Sequence, residues 1–233
     1  MNNWAILQAL VFEPRKAFAE IAERPRILFP LALLVLATAG LTLWYMGVVD
    51  LEWLIDRQLR NNPFGRSLSE EQIAQQVAAA SGRRGLQATV GALGSGIATV
   101  AISLLGALYY VLAGKITNVD RSYRQWLALN CWSSLPTVLA VVPAAFVLLS
   151  AGSAQIPQED LQPLSFNALF FHRVASEPGY VLFSSLNLLQ FAALYLAVVG
   201  VKTWSGRSWL FSTVFATLPF VLIFGIWAFI ALR

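Results

Sequence analysis

Residues 121–150 read RSYRQWLALNCWSSLPTVLAVVPAAFVLLS. After Arg124 this stretch carries no charge, and it exceeds the roughly 20 apolar residues that cross a hydrocarbon core about 30 Å thick. It also holds the densest set of polar groups in any apolar run of the chain: Asn130, Cys131, Ser133, Ser134 and Thr137, with Pro136 among them. A membrane span with that content is the segment that would line a working interior.

The same reading extends to the whole chain. Of 233 residues, 58% are hydrophobic and 12% are charged, about half the charged share of a soluble domain, and the mean hydropathy is +0.64. Every charged residue falls outside five stretches: Ile27–Val49, Leu86–Gly114, Gln125–Gln158, Pro178–Val201 and Ser208–Leu232. The pattern predicts an all-α polytopic membrane protein. Five transmembrane helices span about 27–49, 86–113, 126–150, 180–201 and 209–232, preceded by an N-terminal interfacial helix within 1–26. The first apolar run is too long for the core of a signal peptide and reads as a retained helix, although Ala37-Thr38-Ala39 mimics a cleavage site. With a net charge of +4 and basic residues flanking the spans, the lipid bilayer rather than nucleic acid is the expected counterpart. One cysteine, Cys131, and one histidine, His172, form neither a disulfide framework nor a zinc site.

Residues 1–26 divide at Glu13-Pro14. Pro14 suits a first helical position, after which Ala17, Phe18, Ile21 and Ala22 share one face and Arg15, Lys16, Glu20 and Glu23 lie elsewhere, the pattern of a helix at the membrane surface. In the first loop, Asn61-Asn62-Pro63-Phe64-Gly65 breaks the chain, and Ser69 with Gln72 predicts a capping box for a short helix through Ala80. In the second span Gly91, Ser95, Thr99, Ser103 and Ala107 recur every four residues. Such a small-residue stripe lets helix backbones approach closely, either within the chain or against a second copy or another membrane protein.

In the third span Pro136 and Pro143 leave the Trp132 and Leu139 carbonyls without their helical donors. Asn130, Ser133 and Thr137 share a face, and Ser184, Asn187 and Gln190 form a matching face on the fourth span. With Ser134 and Pro136 these make a candidate polar cavity; the alternative is interhelical hydrogen bonding. The loop 151–179 contains the aromatic-rich run Pro163–Phe171 and is expected to fold back on the membrane. In the fifth span Pro219 frees the Phe215 carbonyl.

Arg15, Lys16, Arg24, Arg26, Lys115, Arg121, Arg124, Lys202 and Arg207 lie on the N-terminal side of five alternating spans, and loop 151–179 carries only Arg173. The positive-inside rule then gives a cytoplasmic N-terminus and an external C-terminus. No Asp, Glu, Lys, Arg or His lies inside a span, which disfavours an energised transporter. No nucleophile elbow, metalloprotease pair or phosphate loop occurs. The expectation is no enzyme, no cofactor, no metal and no catalytic residue.

Several features in order are similar to one family: Phe12-Glu13-Pro14-Arg15-Lys16-Ala17-Phe18 with Arg24-Pro25, Leu68-Ser69-Glu70-Glu71-Gln72, Leu135-Pro136, the Pro163–Phe171 run, and Val199-Gly200-Val201-Lys202-Thr203. The chain resembles the Yip (Ypt/Rab-interacting) family of five-span membrane proteins, in its bacterial branch. The resemblance implies a bacterial inner-membrane protein related to trafficking factors that associate with small GTPases. With only 26 residues before the first span, a small GTPase is not an expected partner here. Two functions follow: a non-catalytic organiser or scaffold, or a passive conduit for a small solute or lipid lined by the polar residues of spans three and four.

Overall fold

Helices occupy all five charge-free runs. In the computed structural model, which describes residues 1–61 and 68–233, the described residues hold eleven α-helices and no strand. They are α1 (Asn3–Phe12), α2 (Pro14–Glu23), α3 (Leu28–Val48), α4 (Leu51–Asn61), α5 (Glu70–Ser81) and α6 (Arg84–Thr117), then α7 (Tyr123–Ser133), α8 (Val141–Ser150), α9 (Tyr180–Ser185), α10 (Leu188–Ser205) and α11 (Trp209–Ala231). Five segments are long and apolar enough to cross a membrane: α3, α6, the run Tyr123–Ser150, α10 and α11. The expected break at 61–65 lies outside the described residues, except for Asn61, which ends α4.

Local sequence sets the helix ends. The Asn2 side chain accepts from Ala5 N at 2.8 Å, and Pro14 opens α2. Ser69 and Gln72 make the reciprocal capping box that their spacing predicts, and Ser122 with Gln125 makes a second one at the start of α7. Each satisfies two amides that a helix start leaves without partners.

Proline reshapes the third span. Between α7 and α8 the chain tightens into a 3-10 helix, Leu135–Ala140, because Pro136 lacks the N–H that would bind the Trp132 carbonyl. The Ser134 amide reaches both the Asn130 and Trp132 carbonyls instead.

The fourth run differs from its prediction. Although Pro178–Val201 is free of charge, α9 stops at Ser185 and α10 begins at Leu188. Leu186 and Asn187 pair sideways: the Phe166 amide donates to the Leu186 carbonyl at 2.8 Å, and Ser165 forms an antiparallel bridge with Asn187. The spanning helix therefore starts at Leu188 and runs on to Ser205. It passes Lys202, a cation well placed near a helix C-terminus.

The chain divides into two compact units. The first comprises Met1–Leu36, Ile97–Leu139 and Leu188–Arg233. Its core holds fully buried Trp126, Trp132, Phe18, Ile21 and Leu129. Trp126 stacks on Tyr110 with centroids 5.4 Å apart and meets Trp204 at 5.3 Å and Phe215 at 5.6 Å. The apolar face of α2, which its sequence assigns to the membrane surface, is occupied by protein: Ala17, Phe18 and Ile21 are buried in this core. Three long-range hydrogen bonds hold the N-terminal segment there. Trp204 Nε1 donates to the Phe18 carbonyl at 2.7 Å, Gln125 Nε2 to Ala22 at 2.8 Å and Trp132 Nε1 to Arg26 at 2.8 Å.

The second unit comprises Ala37–Gly96 and Ala140–Asn187, around Tyr45, Val49, Leu54, Ala144 and Ile156. The buried Tyr45 hydroxyl donates to the Ile156 carbonyl at 2.8 Å, and the Asp50 amide to Ala154 at 2.7 Å. These bonds fix the loop after α8 beside the start of α4.

Candidate functional site

The polar residues of the third span sit in the first unit, at the end of α7 and the 3-10 turn. Asn130 Nδ2 donates to the Ser103 carbonyl at 3.0 Å. Gly106, one turn further along α6, permits that approach: a Cβ there would come within 2.6 Å of Asn130 Nδ2. Ser133 Oγ and Ser134 Oγ both donate to the Asn130 carbonyl, at 3.1 and 2.8 Å. Thr137 Oγ1 donates to the Ser134 carbonyl at 2.7 Å. Ser133, Ser134 and Thr137 thus bind carbonyls of their own segment, and Asn130 ties it to α6. The Trp132 carbonyl that Pro136 leaves open is met by the Ser134 amide, which is how irregular backbone is tolerated at membrane depth. Cys131 is buried and forms no disulfide. Gln190, on α10, is half-buried in the same unit.

Ser184 and Asn187 belong to the second unit. Asn187 is buried beside Ser165. Ser184 lines an open cleft of about 590 Å³, together with Arg57, Glu159, Asp160, Asn167 and Tyr180. The small-residue stripe is likewise divided. Gly91 and Ser95 face Thr42 of α3, with a Cβ at Gly91 falling 3.3 Å from Thr42 Cγ2 and the Thr42 and Ser95 hydroxyls 3.4 Å apart. Thr99 and Ser103 lie in the first unit, where Ser103 is buried.

No motif points to the cleft. Arg57 of α4 forms an ion pair with Glu159, which stands on the 3-10 turn Gln158–Leu161. The guanidinium also lies over the Trp53 ring, 5.3 Å from its centroid. Tyr180 and Ser184 line the same cleft, and the Ser184 hydroxyl is buried there with no hydrogen-bond partner among the described residues. Burial, followed by the neighbouring Glu159 charge, pushes the Asp160 carboxyl above its ordinary value. Asn167 clasps the far wall: its Oδ1 accepts from Arg173 N at 2.9 Å and its Nδ2 donates to the Arg173 carbonyl at 3.1 Å. Between them His172 adopts a left-handed backbone with φ 51°. Arg57 and Glu159 are 102 residues apart. Span parity, which puts the first and third loops on one face, is the one sequence signal for their meeting.

Chemically, both centres are suited to holding structure and polar groups. Among the described residues no group of three His, Cys, Asp or Glu side chains could hold a metal ion. Compared with known families, the chain matches the one described as the Yip1 domain over residues 8–230. No curated protein and no solved structure matches it.

Proposed function

The chain belongs to the Yip1 domain family, and on that premise we propose that this integral membrane protein is a non-catalytic organiser that shapes the bilayer through its N-terminal helices. The observation that carries the reading is how α1 and α2 are held. Phe18 and Ile21 are fully buried in the first unit, while Trp4, Val11 and Phe12 of α1 are 69%, 74% and 80% exposed. An apolar edge fixed to a packed core acts as a wedge at the headgroup boundary, because an apolar helix face is driven into that boundary. We place this edge on the cytoplasmic side of a bacterial inner membrane. Its support is the excess of Lys and Arg in the N-terminal segment and in the turns 115–124 and 202–207. Contacts between these segments agree: Gln125 binds Ala22, and Arg207 Nη2 binds the Thr117 carbonyl at 2.6 Å.

The competing reading is the passive conduit. Against it stands the use of Asn130, Ser133, Ser134 and Thr137 as donors to backbone carbonyls. Flux through proteoliposomes separates the two. Folded protein is expected to pass small polar solutes and labelled lipids no faster than protein-free vesicles. Flux that Asn130→Leu abolishes would replace the organiser with the conduit.

A further inference from the structure

A groove of about 330 Å³ runs between α6 and α11, lined by Tyr109, Leu112, Ile116, Phe211, Val214 and Leu218. Its walls are almost wholly apolar, and it lies between two of the segments long and apolar enough to cross a membrane. One end has a different character. Arg207, in the turn before α11, donates from Nη2 to the carbonyl of Thr117, itself a lining residue. Its guanidinium also lies over the ring of Phe211, 4.6 Å from the centroid. Lys202 Nζ donates to the Arg207 carbonyl, and Lys115 stands exposed in the last turn of α6. The turns 115–124 and 202–207 contain Lys115, Arg121, Arg124, Lys202 and Arg207 against the single carboxylate Asp120.

We propose that this groove holds one acyl chain of an anionic phospholipid whose phosphate rests on Arg207. An apolar groove alone would not select a lipid, because the bilayer interior is as apolar as the groove wall. Selection comes from the headgroup. A guanidinium presents five N–H donors in a planar fork that matches phosphate oxygens, and here it is braced by Thr117 and Phe211. Its position at a helix-to-helix turn is the level at which headgroups lie.

Native mass spectrometry of the full chain in mild detergent tests this, with dioleoyl phosphatidylglycerol, dioleoyl phosphatidylcholine and inorganic phosphate as separate probes. One phosphatidylglycerol per chain is expected, held at least fivefold more tightly than phosphatidylcholine. Arg207→Gln and Lys115→Gln should each weaken it about fivefold, the factor one basic residue contributes at an anionic surface. Val214→Trp, which fills the groove, should abolish it, and the distant Arg233→Gln should change nothing. Should Arg207→Gln fail to fold, Lys115→Gln still reads the headgroup, since the Thr117 bond stays intact. Equal binding of the two lipids, or equal behaviour of Arg207→Gln and Arg233→Gln, would overturn the proposal. Phosphate binding that Val214→Trp leaves untouched would reduce the site to an anion site, also against it. A dimer that Val214→Trp disperses would assign the groove to a second copy instead.

Discussion

The Tyr109 hydroxyl donates to the Phe215 carbonyl at 2.7 Å. That carbonyl lies four residues before Pro219 within α11, so it is the acceptor that proline deprives of its helical donor. Tyr110 follows with a longer bond to the Ala216 carbonyl, 3.4 Å. A helix interruption that would be expensive in lipid is thus made good by a side chain from α6. The same logic governs the third span, where the Ser134 amide serves the carbonyl that Pro136 leaves open.

Tyr109→Phe should therefore destabilise the fold by about 0.6–1.7 kcal/mol, the range for hydrogen bonds within membranes. In a Pro219→Ala background, where the introduced alanine supplies the missing amide, the loss should shrink by at least half. Unfolding in a graded detergent series measures all four corners of the cycle. An equal loss in both backgrounds would separate the tyrosine from the proline.

Two glycines sit where neighbouring side chains pack directly against the helix backbone. A Cβ at Gly200 would lie 2.9 Å from Leu129 Cδ1 and 3.0 Å from Phe18 Cδ1, and both neighbours are fully buried. At Gly106 it would meet Asn130 Nδ2 at 2.6 Å. Gly200→Ala and Gly106→Ala should each cost about 1–3 kcal/mol by overpacking. Gly225→Ala, with nothing within 4 Å, should be neutral or stabilising. Thermal unfolding of the three purified variants checks the order.

Much of this architecture is legible in the sequence because its causes are local. Gaps between charged residues reveal the spans, Ser69 and Gln72 reveal a capped helix start, and Pro136 reveals the interruption of span three. The break at Leu186-Asn187 is not legible. No proline, glycine or charge marks it, since its cause is pairing with Ser165 and Phe166 about twenty residues earlier. The burial of α2 is hidden for a related reason: amphipathicity shows that a face is apolar, and not whether lipid or protein covers it. The polar residues of the third span are legible as a cluster, and the bonds of Ser133, Ser134 and Thr137 to carbonyls three or four residues back are local. The Asn130 bond to the Ser103 carbonyl, by contrast, depends on how α6 and α7 pack. The Arg57–Glu159 cleft needs the loops to be assembled in three dimensions.

Ser122→Ala removes the hydroxyl side of the capping box at α7 and should cost about 1 kcal/mol. Ser69→Ala removes the equivalent group from the exposed start of α5, so its effect should remain local. Hydrogen exchange should show faster exchange at the α5 start alone for Ser69→Ala, whereas Ser122→Ala should lower the global unfolding midpoint. The reverse pattern would contradict the assignment of α7 to the core.

Asp160 supplies a pH test. Burial and the Glu159 charge raise its folded value above the ordinary 3.8, so the ionised form is disfavoured in the fold. That penalty is fully present above the raised value, and it disappears as pH falls through that value toward 3.8. Asp160→Asn should therefore be more stable than the parent at pH 7, with the difference vanishing by about pH 4. Paired melting curves across that window check it; a difference that grows on acidification would reverse the sign.

An apolar edge on α1, fixed by Phe18 and Trp204, should bend the membrane that receives it. Electron cryomicroscopy of reconstituted vesicles at matched protein density reads that bending as vesicle diameter. The parent chain should give a smaller mean diameter than protein-free vesicles, restored when Trp4, Val11 and Phe12 are all replaced by serine in folded protein. Equal diameters for the parent and the triple-serine variant would rule the wedge out.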